Sequence, residues 1–242
     1  MSRRVRFEKR FNGYPELTLG SYACGVVAKM INGAAQVNLR RPPLLERDME
    51  LIAGKDGHVE LHDGDKVIAD GGPVTLDLET PEPITVTEAR QASEGYPFYE
   101  EHPSPTCFVC GISRDDGDGL RIFPGPVADR GMVAACWTPN RSLANSEGHV
   151  PSEIVWAALD CPSYFSLFPA GGVESVLVQM TADLREPVAA GQPYVISAWK
   201  VAEEGRKAEV GVAIFSEDSR LCVLGHSLWV EMEPGQHKRP DL

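Results

Sequence analysis

Apolar residues recur at helical spacing within 148–168, GHVPSEIVWAALDCPSYFSLF, where Ile154, Val155, Ala158 and Leu159 form one stripe. Pro151 fits the first helical position, where a missing N–H costs nothing, and Ser152 offers a capping oxygen. Pro162 cannot continue an unstrained helix, so a break or kink is expected just before it. Asp160 does not belong to this pattern. It lies beside the apolar stripe and near the expected helix end, where its charge opposes the macrodipole. Either it points to solvent or caps the next turn, or it is a single carboxylate held at the wall of a cleft.

A second run of small apolar residues, LGSYACGVVAKMI at 19–31, predicts a buried helix ending at Asn32-Gly33. Strand patterns precede and follow it at 5–11, 35–39 and 49–52. Segments 58–61 and 66–69 form a predicted hairpin around Asp63-Gly64. A further strand pair is expected within 73–86, and 88–106, with Pro97, Pro103 and Pro105, reads as a linker crossing the surface. Beyond it, strands are expected at 120–123, 132–137, 176–184, 194–201, 207–215 and 222–231. A Pro-Ala-Gly-Gly turn falls at 169–172, and a polar tail follows Glu233.

Two short patterns occur twice in the same order. Leu39-Arg40-Arg41-Pro42 matches Leu184-Arg185-Glu186-Pro187, and DGDKVIADG at 63–71 matches EDSRLCVLG at 217–225. Each half thus reads as a helix, a strand, a Leu-Arg-x-Pro bend and a meander of antiparallel strands.

The length of 242 residues suits one large domain or two small ones. With 43% hydrophobic and 24% charged residues the chain is an ordinary globular sequence. A net charge of −12 removes a basic footprint for nucleic acid and disfavours a membrane surface. Without an apolar run of 18 residues or a signal segment, a cytoplasmic location is expected. The six cysteines are then expected to be reduced, with Cys24, Cys136, Cys161 and Cys222 as small core residues.

The doubled order resembles the hotdog fold, in which a curved antiparallel sheet wraps a central helix. VQMTADLREPVAAGQPYV at 178–195, followed by Gly205-Arg206-Lys207, is similar to the family's strand, Arg-x-Pro bend and hairpin. The resemblance implies an α+β double hotdog, two halves packed as a pseudo-dimer over 1–90 and 107–242, joined by a linker at 91–106. Hotdog proteins are mostly acyl-CoA or acyl-carrier thioesterases, with hydratases and dehydratases as a second group. In the thioesterase branch a helix entrance is followed two turns later by a carboxylate, and Asp160 occupies that position. The usual His-Gly-Gly entrance is replaced by Gly148-His149-Val150-Pro151.

The other half supplies what is missing. Leu19-Gly20-Ser21-Tyr22 lies at its helix entrance, and Asn12 stands where similar enzymes often carry an assisting amide. A helix N-terminus offers free N–H groups to a thioester oxygen gaining charge. The first-half counterpart of Asp160 falls near Ala28. One competent site is therefore expected, with Asp160, Gly20 and Asn12 as its catalytic set. Ser21, Tyr22, Trp156, Tyr164 and Arg206 are the candidate substrate-binding residues. Trp156, Tyr164 and Phe165 either line an acyl slot or are plain core. Arg40, Arg41, Arg185, Arg206 and Lys207 either meet CoA phosphates or are solvated edge charges.

Hydrolysis of an acyl-CoA or acyl-carrier thioester is the leading expectation. The alternatives are a non-catalytic acyl-CoA binding protein and a hotdog enoyl-CoA hydratase or dehydratase. The last needs a His about one turn after the Asp, and Tyr164 and Phe165 stand there instead. The expected partner is a small-molecule acyl-CoA, with no cofactor, no nucleic acid, no membrane, and a homo-oligomer of double-hotdog chains conceivable. No metal is expected, although Cys107, Cys110 and His102 have ligand-like spacing; one Cys-x-x-Cys is a weak signal without further ligands. The acidic run at 115–119 lacks the closing Glu of a calcium loop, and there is no P-loop, Rossmann glycine pattern or Gly-x-Ser-x-Gly elbow.

Overall fold

A computed structural model describes residues 2–168 and 174–233. The turn expected at 169–172 and the tail after Glu233 lie outside the described residues. The first half contains β1 (Ser2–Arg6), α1 (Gly20–Ala28), β2 (Ala35–Leu39), β3 (Asp48–Ala53), β4 (Val59–Asp63) and β5 (Lys66–Pro73). After α2 (Val86–Glu94) come β6 (Gly125–Val127), β7 (Met132–Trp137), α3 (Ser152–Ala158) and α4 (Asp160–Leu167). The chain then closes with β8 (Ser175–Leu184), β9 (Tyr194–Glu204), β10 (Lys207–Ser216) and β11 (Leu221–Glu231).

These strands form one antiparallel sheet of eleven strands in the order β1-β3-β4-β5-β2-β8-β11-β10-β9-β7-β6. The two halves meet at β2 and β8, where Ala35 pairs with Ala182 and Asn38 with Gln179. Strands β3 and β4 alternate buried and exposed residues, as expected with one face on the core and one in water. Strand β10 is almost continuously buried because both faces are covered. Val210, Val212 and Ile214 face the main core, whereas Ala213 and Phe215 join Val195, Leu224 and Met132 under α2. Helices α1 and α3 pack together inside the curved sheet. A Cβ at Gly25 would lie 2.7 Å from Glu153 Cα and 2.8 Å from Trp156 Cβ, so this crossing requires glycine.

The internal repeat is visible in matched backbone hydrogen bonds. At the first bend the N–H groups of Arg40 and Arg41 both donate to Ile68 O; at the second, those of Arg185 and Glu186 both donate to Cys222 O. Ile68 and Cys222 hold the same place in the repeated nine-residue pattern. Thr18 N–H donates to Pro43 O just as Val150 N–H donates to Val188 O, which aligns the two helix entrances.

Several local expectations are corrected. Residues 74–85 form no strand pair; they run as an irregular connection into α2. That helix occupies the start of the stretch read as linker, because Thr85 and Glu88 close a capping box. It belongs by packing to the second half, so a boundary at residue 90 cuts through it. Segment 120–123 is not strand; β6 begins at Gly125. The helix break falls at Leu159 rather than directly before Pro162, since proline removes the bond to the carbonyl four residues back, that of Ala158. Pro162 itself sits in the first turn of α4, where its missing N–H is harmless.

Candidate functional site

The displaced break changes the chemistry at Asp160. It is the first residue of α4 rather than the last of a long helix, so its charge sits at a favourable dipole end. Ser163 Oγ holds the junction, lying 2.8 Å from Leu159 O and 2.7 Å from Asp160 O. The Asp160 side chain reaches across to the other half. Helix α1 has no side-chain cap of its own, and Asp160 Oδ2 accepts the Ser21 N–H at 3.2 Å. The N–H groups of Gly20, Ser21 and Tyr22 open that helix.

Asp160 is only 8% exposed. Burial pushes its carboxyl up to about 7, against the pull of the Ser21 side chain and N–H, and the neighbouring Cys107 adds to the rise. The Ser21 hydroxyl is wholly buried beside this carboxylate, without a hydrogen bond of standard geometry. Cys24, one turn further along α1, is pushed up by burial and by the Asp160 charge. A buried carboxylate, a buried hydroxyl and a helix N-terminus therefore converge from the two halves.

The remaining candidates divide. Gly20 lies at the entrance, but a Cβ there would be 2.9 Å from Leu39 Cδ1, so packing already demands glycine. Asn12 is buried with its amide engaged structurally: Nδ2 donates to Thr106 Oγ1 at 3.1 Å and Oδ1 accepts from Arg114 at 2.5 Å. Tyr22 stacks on Phe11 at 4.0 Å within an aromatic group that includes Phe7 and Phe108. Trp156 is buried at the helix crossing. Tyr164 is half-buried against Phe165 and Trp229, and burial pushes its hydroxyl up to about 12. Arg206 is exposed on the β9–β10 turn, 3.3 Å from Glu233. Arg40 and Arg185 are likewise taken up by Asp70 and Asp183.

Two residues escaped the sequence reading. The Tyr14 hydroxyl lies within the field of Cys161, Cys107 and Asp160, which adds to the upward push of burial. Its only sequence signal is its place in the Asn-Gly-Tyr-Pro turn before the entrance. Cys161, read as core, has Cys107 and Cys110 as neighbours. The loop before α1 also borders a cleft of about 610 Å³ lined by Lys9, Asn12, Pro15, Leu44, Arg47 and Thr106.

The overall fold recurs in known structures. The tesB protein of Mycobacterium avium subsp. paratuberculosis superposes with a TM-score of 0.63, covering 96% of this chain and 93% of that one at 11% identity. The chain folds as a double hotdog. The acyl-CoA thioesterase II TesB2 of Mycobacterium marinum gives 0.61 with 97% and 94% covered at 11% identity. A hot dog fold protein of unknown function from Alicyclobacillus acidocaldarius gives 0.63 with 96% and 94% covered at 11% identity. No protein family and no curated protein matches the sequence. In this double hotdog the repeat equates Thr18 with Val150, so ten residues on Ala28 stands opposite Asp160, and Ser21 corresponds to Glu153. At the second pseudo-equivalent position the carboxylate is thus replaced by Ala28, while Lys29 Nζ lies 2.8 Å from Glu153.

Proposed function

We propose that this double hotdog hydrolyses an acyl thioester, with acyl-CoA as substrate, at one site between its halves. The observation that carries the reading is the 3.2 Å contact between Asp160 of the second half and the N-terminal N–H of the first-half helix. A carboxylate there can take a proton from water as the water attacks the thioester carbonyl. N–H groups at the start of α1 are directed to hold the oxygen that gains charge. Collapse of the tetrahedral intermediate expels the thiolate, which recovers the proton from Asp160. The likeness to the acyl-CoA thioesterase II of M. marinum supports this substrate class. Lys9, which makes no ion pair among the described residues, is the cation proposed to meet a CoA phosphate at the cleft it shares with Glu16, Glu46 and Arg47.

No helix among the described residues is long and apolar enough to cross a membrane. A panel of acyl-CoA substrates with detection of the released thiol tests the reading. Thiol release from at least one acyl length, lowered roughly 10²–10⁴-fold in Asp160→Asn, is expected. Wild-type protein that binds acyl-CoA but releases no thiol from any substrate would replace hydrolysis with a binding function.

A further inference from the structure

We propose that Cys107, Cys110 and Cys161 bind one zinc ion as three thiolate ligands. The three sulfurs lie within 4.8 Å of one another, all buried. Cys107 Sγ is 3.8 Å from Cys161 Sγ, and Cys161 Sγ is 3.0 Å from Cys110 Sγ. Zinc–sulfur bonds of about 2.3 Å at tetrahedral angles place sulfurs roughly 3.8 Å apart, so small shifts would seat the ion. Cys-x-x-Cys spacing supplies two ligands from one turn, and α4 supplies the third from 51 residues away. The sequence alone pointed to His102 as the third group, but its ring is committed elsewhere. Its Nδ1 accepts the Ser104 N–H at 2.9 Å, so its protonated Nε2 donates to the Tyr96 hydroxyl at 2.8 Å.

The turn that carries Cys107 and Cys110 is tightly held. The turn is closed by the Gly111 N–H donating to Cys107 O at 2.9 Å. A Cβ at Gly111 would lie 2.4 Å from that same carbonyl oxygen, so this tight geometry demands glycine. The Tyr96 hydroxyl, 2.8 Å from His102 Nε2, neighbours Cys110, and such outer groups help fix ligating sulfurs. A disulfide would use two of the three sulfurs and leave the third without a role. Zinc uses all three, with the fourth tetrahedral position left to a solvent molecule. The ion would clasp the 104–122 segment to α4 at the residue next to Asp160, so this centre would hold the carboxylate in place from behind. The assignment does not depend on thioester hydrolysis.

The test is metal analysis of the full chain purified under reducing conditions without chelator. About one zinc per chain is expected, lost in Cys107→Ser and Cys161→Ser and retained in Cys136→Ser and Cys222→Ser. Should the ligand variants fail to fold, cobalt exchange into the wild-type protein must give a thiolate-to-cobalt charge-transfer band; its absence overturns the site. Zinc-free wild-type protein with all six thiols titratable after denaturation also overturns it. So does a Cys110–Cys161 cross-linked peptide in zinc-free protein, which would assign a redox pair instead. Zinc retained in Cys161→Ser would remove the third ligand.

Discussion

Replacing Asp160 by Asn separates the chemistry from the architecture at the point where a second-half carboxylate meets the first-half helix entrance. The amide oxygen can still accept the Ser21 N–H now 3.2 Å from Oδ2, so the entrance of α1 keeps its acceptor. What disappears is the negative charge and the capacity to take a proton. Loss of a positioned general base lowers kcat by roughly 10²–10⁴-fold, about 2.7–5.5 kcal/mol of transition-state stabilisation. KM should change little, because neither the cleft at Lys9 nor the aromatic groups of the site are altered. Thermal stability should hold or rise, since the substitution removes a charge from a position only 8% exposed. The assay is thiol release from acyl-CoA at pH 8, above the value of about 7 to which burial pushes this carboxyl, so that the wild-type group is ionised. Calorimetric melting is followed on the same samples. A variant with wild-type kcat, or one that loses activity only because it melts far earlier, would refute the argument and leave Asp160 as an inter-half helix cap.

Other consequences are local. Gly25→Val places side-chain atoms where even a Cβ would be 2.7 Å from Glu153 Cα; urea denaturation should show destabilisation of about 1–3 kcal/mol or more, and a change under 0.5 kcal/mol would contradict the tight crossing. Thr85→Ala removes half of the capping box of α2 and should cost about 1 kcal/mol by the same measurement, with activity retained because α2 lies on the outer face of the sheet. Burial alone would raise Asp70, but hydrogen bonds from Arg40 and Asn38 outweigh it and hold its carboxyl low. A depressed carboxyl stabilises the fold above the unfolded value of about 3.9 and loses that contribution as pH falls through the folded value. Asp70→Asn should therefore be less stable than wild type at neutral pH and converge with it in acid; parallel stability profiles down to pH 2 would disprove the linkage.

Much of this architecture was legible because strand and helix periods differ so clearly. Segments 35–39 and 132–137 coincide with β2 and β7, and the repeated bend is matched by the shared double hydrogen bonds at Ile68 and Cys222. The juxtaposition of Asp160 with the α1 entrance followed from family resemblance and not from any local pattern. Helix α2 went unread although Thr85-Val86-Thr87-Glu88 carries a capping-box signature. Val86 is its one large apolar residue, so its buried face, completed by Ala89 and Ala92, leaves little periodic signal, and prolines dominate the following stretch. The placement of the break was misjudged because proline acts on the carbonyl four residues earlier, a consequence that spacing alone obscures. Cys161 could not be tied to Cys107 and Cys110 from sequence, since contacts 51 and 54 residues apart leave no periodic trace.

The two pseudo-equivalent sites show what duplication permits. In a symmetric pair of hotdogs any change at the helix entrance alters both sites, but here each half carries its own substitutions. The first half kept Gly20-Ser21 at its entrance and has Ala28 where a carboxylate would stand. The second half has Pro151-Ser152-Glu153 at its entrance and Asp160 two turns on. Combining them places Asp160 against Ser21 on one side and Ala28 near Glu153 on the other. Lys29 pairs with Glu153 and joins the halves through an ion pair 2.8 Å long. The asymmetry is one of charge: Asp160 meets the N-terminus of α1, whereas Glu153, at the start of α3, is paired with Lys29.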